Sequence, residues 1–158
     1  MRAVPQFGVR EAGQDYPDRP TAFALIVRDG QLGVVQVESR QRGRVIDLPG
    51  GGVDPGESAA QGVARECGEE AGLRVTVEAE PFARADQFFV NDDGWAHNSR
   101  GQFFEARVAA EAPELKVEDD HTLVWMPPQA ALVALDREAH AWAVAAWLRR
   151  LERTRPNG

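Results

Sequence analysis

Residues 51–73 read GGVDPGESAAQGVARECGEEAGL, and the rest of the 158-residue chain is organised around them. The stretch grows out of a glycine-rich turn, Leu48-Pro49-Gly50-Gly51-Gly52, which a regular element crosses only at a cost. Ser58, with Gln61 three residues on, has the spacing of a capping box and starts a helix that Gly72 is placed to end. At about 100° per residue, Ala60, Val63, Ala64, Cys67 and Ala71 form one apolar stripe that must face a core. Cys67 is therefore read as a core residue and not as a nucleophile. Glu66, Glu69 and Glu70 share the adjoining arc, at spacings i, i+3 and i+4. Like charges so placed destabilise a helix by a few tenths of a kcal/mol per pair, and they oppose the helix dipole near its C-terminus. A solvated acidic face is the plain reading. A hard divalent cation, which takes carboxylate oxygens, is the reading that gives the arrangement a use.

Composition bounds the rest. Hydrophobic content of 43% and charged content of 27% suit one globular domain, expected over residues 1–158, with 1–20 an extended lead-in and 154–158 a frayed tail. A net charge of −7 argues against a general binder of nucleic-acid polymers or membrane surfaces. No apolar run approaches the roughly 20 residues of a membrane span. One cysteine allows no internal disulfide, so a cytoplasmic location is expected.

Along the chain, a short strand is expected near Gln6–Arg10 and a buried one at Thr21–Val27. The Asp29-Gly30 turn then returns the chain through Gln31–Glu38. Ser39–Arg44 reads as a polar loop with Arg40, Arg42 and Arg44, either solubilising or in reach of phosphate. Further strands are expected at Val45–Leu48, Arg74–Glu78, within Phe82–Asn91, at Gly101–Ala109 and at Thr122–Met126. Trp95–Ser99 is read as part of the loop that begins at Asn91. Helices over Gln129–Leu135 and Arg137–Leu151 close the chain, the second with Ala139, Trp142, Ala143, Ala146 and Trp147 on one apolar face. This order suits a mixed sheet covered on both faces.

Gly51, Glu57, Arg65, Glu66, Cys67, Glu69, Glu70, Gly72 and Leu73 match, position for position, the pattern G-x5-E-x7-R-E-U-x-E-E-x-G-U, where U is bulky and apolar. The segment resembles the Nudix box of the Nudix hydrolases. That resemblance implies an α/β/α sandwich and hydrolysis of a pyrophosphate bond in a nucleoside diphosphate linked to another group, with Mg²⁺ or, in its place, Mn²⁺. It implies Glu66 and Glu70 as metal ligands, Glu69 as ligand or general base, and Gly50 as a carbonyl donor to the metal. Arg65 is implied to orient glutamates, Glu57 among them, through ion pairs. Where family members take the base from a downstream acidic loop, the candidates here are Glu118, Asp119 and Asp120. Substrate contacts are expected from Arg44, Gly51 and an aromatic such as Phe89, with Phe88, Trp95, Phe103 and Phe104 as other stacking candidates. The secondary marks of ADP-ribose, diadenosine polyphosphate and NADH-type members are missing, which leaves nucleoside triphosphates and diphosphate derivatives, oxidised nucleotides included. A homodimer is compatible with the sequence. The alternative from another class is an idle Nudix-fold nucleotide sensor, against which the complete set of box carboxylates speaks.

Overall fold

The computed structural model describes residues 3–156, so Met1, Arg2 and the last two residues of the expected frayed tail lie outside it. In chain order the strands are β1 (Gln6–Phe7), β2 (Asp18–Arg28), β3 (Gln31–Ser39), β4 (Gly43–Asp47) and β5 (Gly50–Gly52). Helix α1 (Ala59–Ala71) follows, then β6 (Leu73–Val77), β7 (Ala83–Val90), β8 (Ala96–Glu111) and β9 (His121–Met126). Helices α2 (Pro128–Ala134) and α3 (Glu138–Thr154) close the chain.

The strands form one mixed sheet in the order β1-β7-β8-β2-β3-β4, with β5 on β2, β6 on β8 and β9 on β3. Its centre is the parallel pair β2–β8, in register from Asp18↔Asn98 to Val27↔Arg107. Parallel strands need both faces covered, and the alternation of β2 provides for that. Phe23 and Leu25 join Phe103, Ala143, Val144 and Trp147 under α2 and α3. Ala22, Ala24 and Ile26 pack on the other face with Val63, Cys67 and Ala71 of α1. The result is the expected α/β/α sandwich. Among the described residues, no helix is long and apolar enough to cross a membrane.

Local signals explain the ends of these elements. Asp29 (φ 52°) and Gly30 (φ 74°) turn β2 into β3 with both residues left-handed, as a two-residue hairpin loop demands. In α1 both halves of the capping box form: Ser58 Oγ accepts the Gln61 N–H and Gln61 Oε1 accepts the Ser58 N–H at 2.8 Å. Gly72, at φ 65°, closes the helix by donating to the Cys67 and Gly68 carbonyls.

Three expectations are corrected. The glycine turn contains a strand, because β5 pairs with Thr21–Phe23 of β2. The backbones come so close that a Cβ on Gly50 (φ 146°) would overlap the Ala22 carbonyl and lie 2.7 Å from Phe23 Cα, so only glycine fits. Ala96–Ser99 is not loop but the start of β8. Two of its buried polar side chains have partners: Ser99 Oγ lies 2.7 Å from Thr21 Oγ1, and Asn98 bonds Gln6 and Asp18. The apolar stripe of α1 also sits differently, since Ala60 and Ala64 are only partly covered while Gly62, Gly68 and Glu70 are buried. Gly68 leaves room for Leu115, which a Cβ would meet at 3.3 Å.

Candidate active site

Arg65 is the hub of the carboxylates on α1. Its Nε and Nη2 donate to Glu57 at 3.2 and 2.8 Å. Its Nη1 donates to Glu66 and Glu69, both at 3.1 Å, and its Nη2 also reaches the Gly52 carbonyl at 3.1 Å. The fork geometry of guanidinium lets one side chain serve all four. The hydrogen bonds from Arg65 hold the Glu57 carboxyl below the usual carboxylate range, with the Asp54 N–H helping at 2.7 Å. Glu57 and Arg65 are thus positioning residues. A Cβ on Gly51 would stand 3.0 Å from Glu66 Oε1, so Gly51 gives clearance to that carboxylate.

Glu70 points the other way, under the turn, with only 4% of its side chain exposed. Gly50 N–H donates to its Oε1 at 3.1 Å, which ties the glycine turn to this carboxyl. Its Oε2 lies 3.4 Å from His121 Nε2. Burial, and then the negative charge of Glu66, push the Glu70 carboxyl well above the usual range.

The loop before β9 completes the arrangement. The Val117 and Glu118 amides both donate to the Glu69 carbonyl at 3.0 Å, satisfying a free acceptor at the end of α1. That docking sets Glu118, Asp120 and His121 beside the helix, with one ligand atom of each within 4.8 Å of the others. His121 Nδ1 sits 2.8 Å from Asp120 Oδ1.

Glu66, Glu70, Glu118 and Asp120 face a cleft of about 780 Å³ that Arg19, Glu38, Arg40 and Asp92 also line. Hard oxygen donors gathered in one lining, with a buried carboxyl in a charged neighbourhood, fit a divalent cation such as Mg²⁺. Arg19 and Arg40 in the same lining fit phosphate. Several expected residues fall elsewhere. Glu69 is bonded to Arg65 and is absent from the cleft lining. Arg44 projects from β4 and pairs with Glu38 at 3.0 Å on the surface. Phe89 lies against the guanidinium groups of Arg137 and Arg42, at 3.8 and 4.6 Å from its ring centre, so it is no free stacking surface. Phe103 and Phe104 are core, and Asp119 is exposed outside the lining.

Sequence reasoning missed Arg19, Arg40's preference over Arg44, Asp92 and His121. His121 had a signal: an imidazole directly after three acids and before an apolar strand. Asp92 had none, since its work is a contact across the fold. It accepts from Ser39 Oγ at 2.7 Å and from the Arg40 N–H at 2.8 Å, tying the β7–β8 turn to the β3–β4 loop.

A helix of ion-paired carboxylates and an acidic loop thus share one cleft with two arginines. Residues 18–148 match the family model described as NUDIX domain, and the chain belongs to that family. It is 31% identical over 101 residues to the "Putative mutator protein MutT4" of Mycobacterium tuberculosis (strain CDC 1551 / Oshkosh), covering 63% of this chain and 40% of that protein. It is 37% identical over 59 residues to the "Putative 8-oxo-dGTP diphosphatase" of Bacillus subtilis (strain 168), covering 37% of this chain and 38% of that one. The chain thus spans about two fifths of the length of the curated relatives it matches. Its fold is like that of a NUDIX hydrolase from Nitrosomonas europaea, with a TM-score of 0.71 at 18% identity, over 89% of this chain and 97% of that chain.

Proposed function

We propose that residues 1–158 act as one catalytic domain that hydrolyses a phosphoric anhydride bond in a nucleoside diphosphate linked to another group. The name of one curated relative, a putative 8-oxo-dGTP diphosphatase, favours a nucleoside triphosphate, oxidised nucleotides included. One observation carries the reading: the box carboxylates Glu66 and Glu70 share a cleft with the loop acids Glu118 and Asp120 and with Arg19 and Arg40. Glu66 and Glu70 hold the divalent cation, Mg²⁺ or Mn²⁺, which when bound neutralises diphosphate charge and acidifies water. Gly50 N–H fixes Glu70, and Arg65 holds Glu66 with Glu57 and Glu69 as its further anchors. Arg19 and Arg40 receive phosphate oxygens. Asp120, its carboxylate oriented by His121, takes the proton of the attacking water. Nothing in the arrangement supplies a serine or cysteine nucleophile, since Cys67 is fully buried with its thiol pushed up by burial. The enzyme works on a small-molecule substrate in the cytoplasm.

The test is a panel of nucleoside triphosphates, oxidised nucleotides and nucleotide sugars assayed with Mg²⁺ and with Mn²⁺, wild type beside Glu66→Gln. Cation-dependent release of a nucleoside monophosphate by the wild type, lost in a folded Glu66→Gln protein, supports the reading. A Glu66→Gln protein that keeps wild-type turnover, or a wild type inert on the whole panel, refutes it.

A further inference from the structure

A second groove, of about 900 Å³, lies between the segment before β1, the start of β7 and helix α3. It shares no lining residue with the catalytic cleft. Part of its lining is apolar: Phe82 and the half-buried Trp142 stand beside Ala145 and Ala146, whose short side chains leave the space open. Phe7 packs against Trp142 with ring centres 6.3 Å apart. The charged part of the lining has one sign. Arg84 comes from β7 and Arg149, Arg150 and Arg153 from α3, with no carboxylate among the described lining residues. The chain as a whole carries −7, so the groove is opposite in sign to the protein that holds it. Of these four arginines only Arg150 pairs with a carboxylate among the described residues, Glu105 at 3.1 Å.

Helix energetics does not explain this cluster. Arg153 stands three and four residues after Arg150 and Arg149, spacings at which like charges repel. The helix dipole favours cations only in the last turn, which holds Arg153 but neither Arg149 nor Arg150, and it has no bearing on Arg84 in a strand. An anion with an apolar part would use both halves of the lining. We propose that this groove binds an amphiphilic organic phosphate, a phosphate monoester on a hydrocarbon chain. The chain lies on Phe82, Trp142, Ala145 and Ala146, and the phosphate oxygens accept from the arginines. A phosphate monoester carries about −1.5 to −2 at pH 7 and three acceptor oxygens, which suits several guanidinium forks better than one carboxylate does. The volume falls within the roughly 300–1,000 Å³ of small-molecule sites, which are likewise mostly apolar with a few polar groups. Because no lining residue is shared with the catalytic cleft, occupancy of this groove is independent of the proposed substrate.

The test titrates the full chain with octyl phosphate below its micelle concentration, in EDTA so that the catalytic cleft holds no cation. The Trp142 indole N–H is followed by NMR, its signal assigned by its loss in Trp142→Phe. Octyl phosphate should shift that signal saturably, with inorganic phosphate and octanol each binding at least about tenfold more weakly. The double variant Arg149→Gln/Arg153→Gln, at two exposed positions, should keep the wild-type Tm and bind octyl phosphate about tenfold more weakly. Arg84→Gln, on the β7 side, should weaken binding in the same direction, and Arg40→Gln in the catalytic cleft should leave it unchanged. Sedimentation with phosphatidylcholine vesicles containing phosphatidic acid separates two sources of the same chemistry. Co-sedimentation lost in the double variant identifies a headgroup presented by a bilayer, and octyl phosphate binding without co-sedimentation identifies a free amphiphile; both support the groove. No saturable Trp142 shift, equal affinity for inorganic phosphate, or undiminished affinity in the arginine variants overturns the proposal. The titration needs no hydrolysis, so a catalytically inert wild type would count against the proposed function alone.

Discussion

Replacing Glu70 by Gln should stabilise the protein without metal and weaken it with metal. The carboxyl is 4% exposed and stands against Glu66, so the folded state must either hold a proton there or bury a second negative charge. Glutamine keeps the acceptor for the Gly50 N–H, 3.1 Å away in the wild type, and removes the charge. Replacing a poorly compensated buried ionic group by a neutral isostere gains about 1–2 kcal/mol. For a chain of this size that is a rise in Tm of about 3–6 °C in EDTA at pH 7. The sign with pH follows from the raised pKa. Above the ordinary value of 4.5 the unfolded chain gives up the proton while the fold retains it, so the wild type loses stability as pH rises. The advantage of the variant should therefore vanish below about pH 4.5, where both states are protonated. With Mg²⁺ at a hundredfold excess over its Kd the wild type gains about 2.7 kcal/mol, enough to reverse the order. Differential scanning calorimetry in EDTA and in Mg²⁺ reads both effects. A Glu70→Gln protein that melts below the wild type in EDTA would refute the view of Glu70 as a carboxyl the bare fold pays to keep.

Arg65→Met should cost about 2 kcal/mol in urea titrations, short of the value for a fully buried pair because Arg65 and Glu69 are about a third exposed; an unchanged midpoint would contradict the hub assignment. Cys67→Ser puts a hydroxyl into the core under α1 and should cost about 1–3 kcal/mol with turnover per folded molecule retained; loss of turnover at an unchanged Tm would contradict the core reading. His97 is pushed down to about 4, by burial and then by the charges of Arg19 and Arg137, and burial also holds His140 well below its usual range. The stability these neutral imidazoles allow should be whole above about pH 6.5 and fall toward pH 4, as the unfolded chain alone takes up protons. Replacing His97 with Phe should flatten that slope.

How much of this was legible in the sequence follows the range of the interactions. The ends of α1 are set by Ser58, Gln61 and Gly72 within the helix itself, and the first hairpin by Asp29-Gly30, so both could be read locally. The start of β8 pairs with nearby Gln87–Val90, but its polar residues are buried through partners on Asp18–Thr21 and Gln6, far away in sequence, which local composition does not reveal. The same distinction divides the site. Arg65 with Glu57, Glu66 and Glu69 is a matter of helix spacing and was foreseen, down to the reach across to Glu57. Helix spacing alone does not separate Glu69 from Glu70; the docking of the Val117–Asp120 loop and of β5 turns Glu70 under the glycine turn while Glu69 stays on Arg65. Sequence does not rank Arg40, Arg42 and Arg44; in the fold Arg44 projects outward to Glu38, Arg42 pairs with Asp136, and Arg40 lines the cleft with Arg19.

The most direct test of the account is hydrolysis of a nucleoside triphosphate in ¹⁸O-labelled water with Mg²⁺, followed by ³¹P NMR and mass spectrometry. Attack by water at phosphorus next to the α–β bridge, with no covalent intermediate, predicts a nucleoside monophosphate and pyrophosphate, one of them carrying all the label, and no turnover in EDTA. Orthophosphate as the main product, or cleavage that persists without a divalent cation, would contradict it.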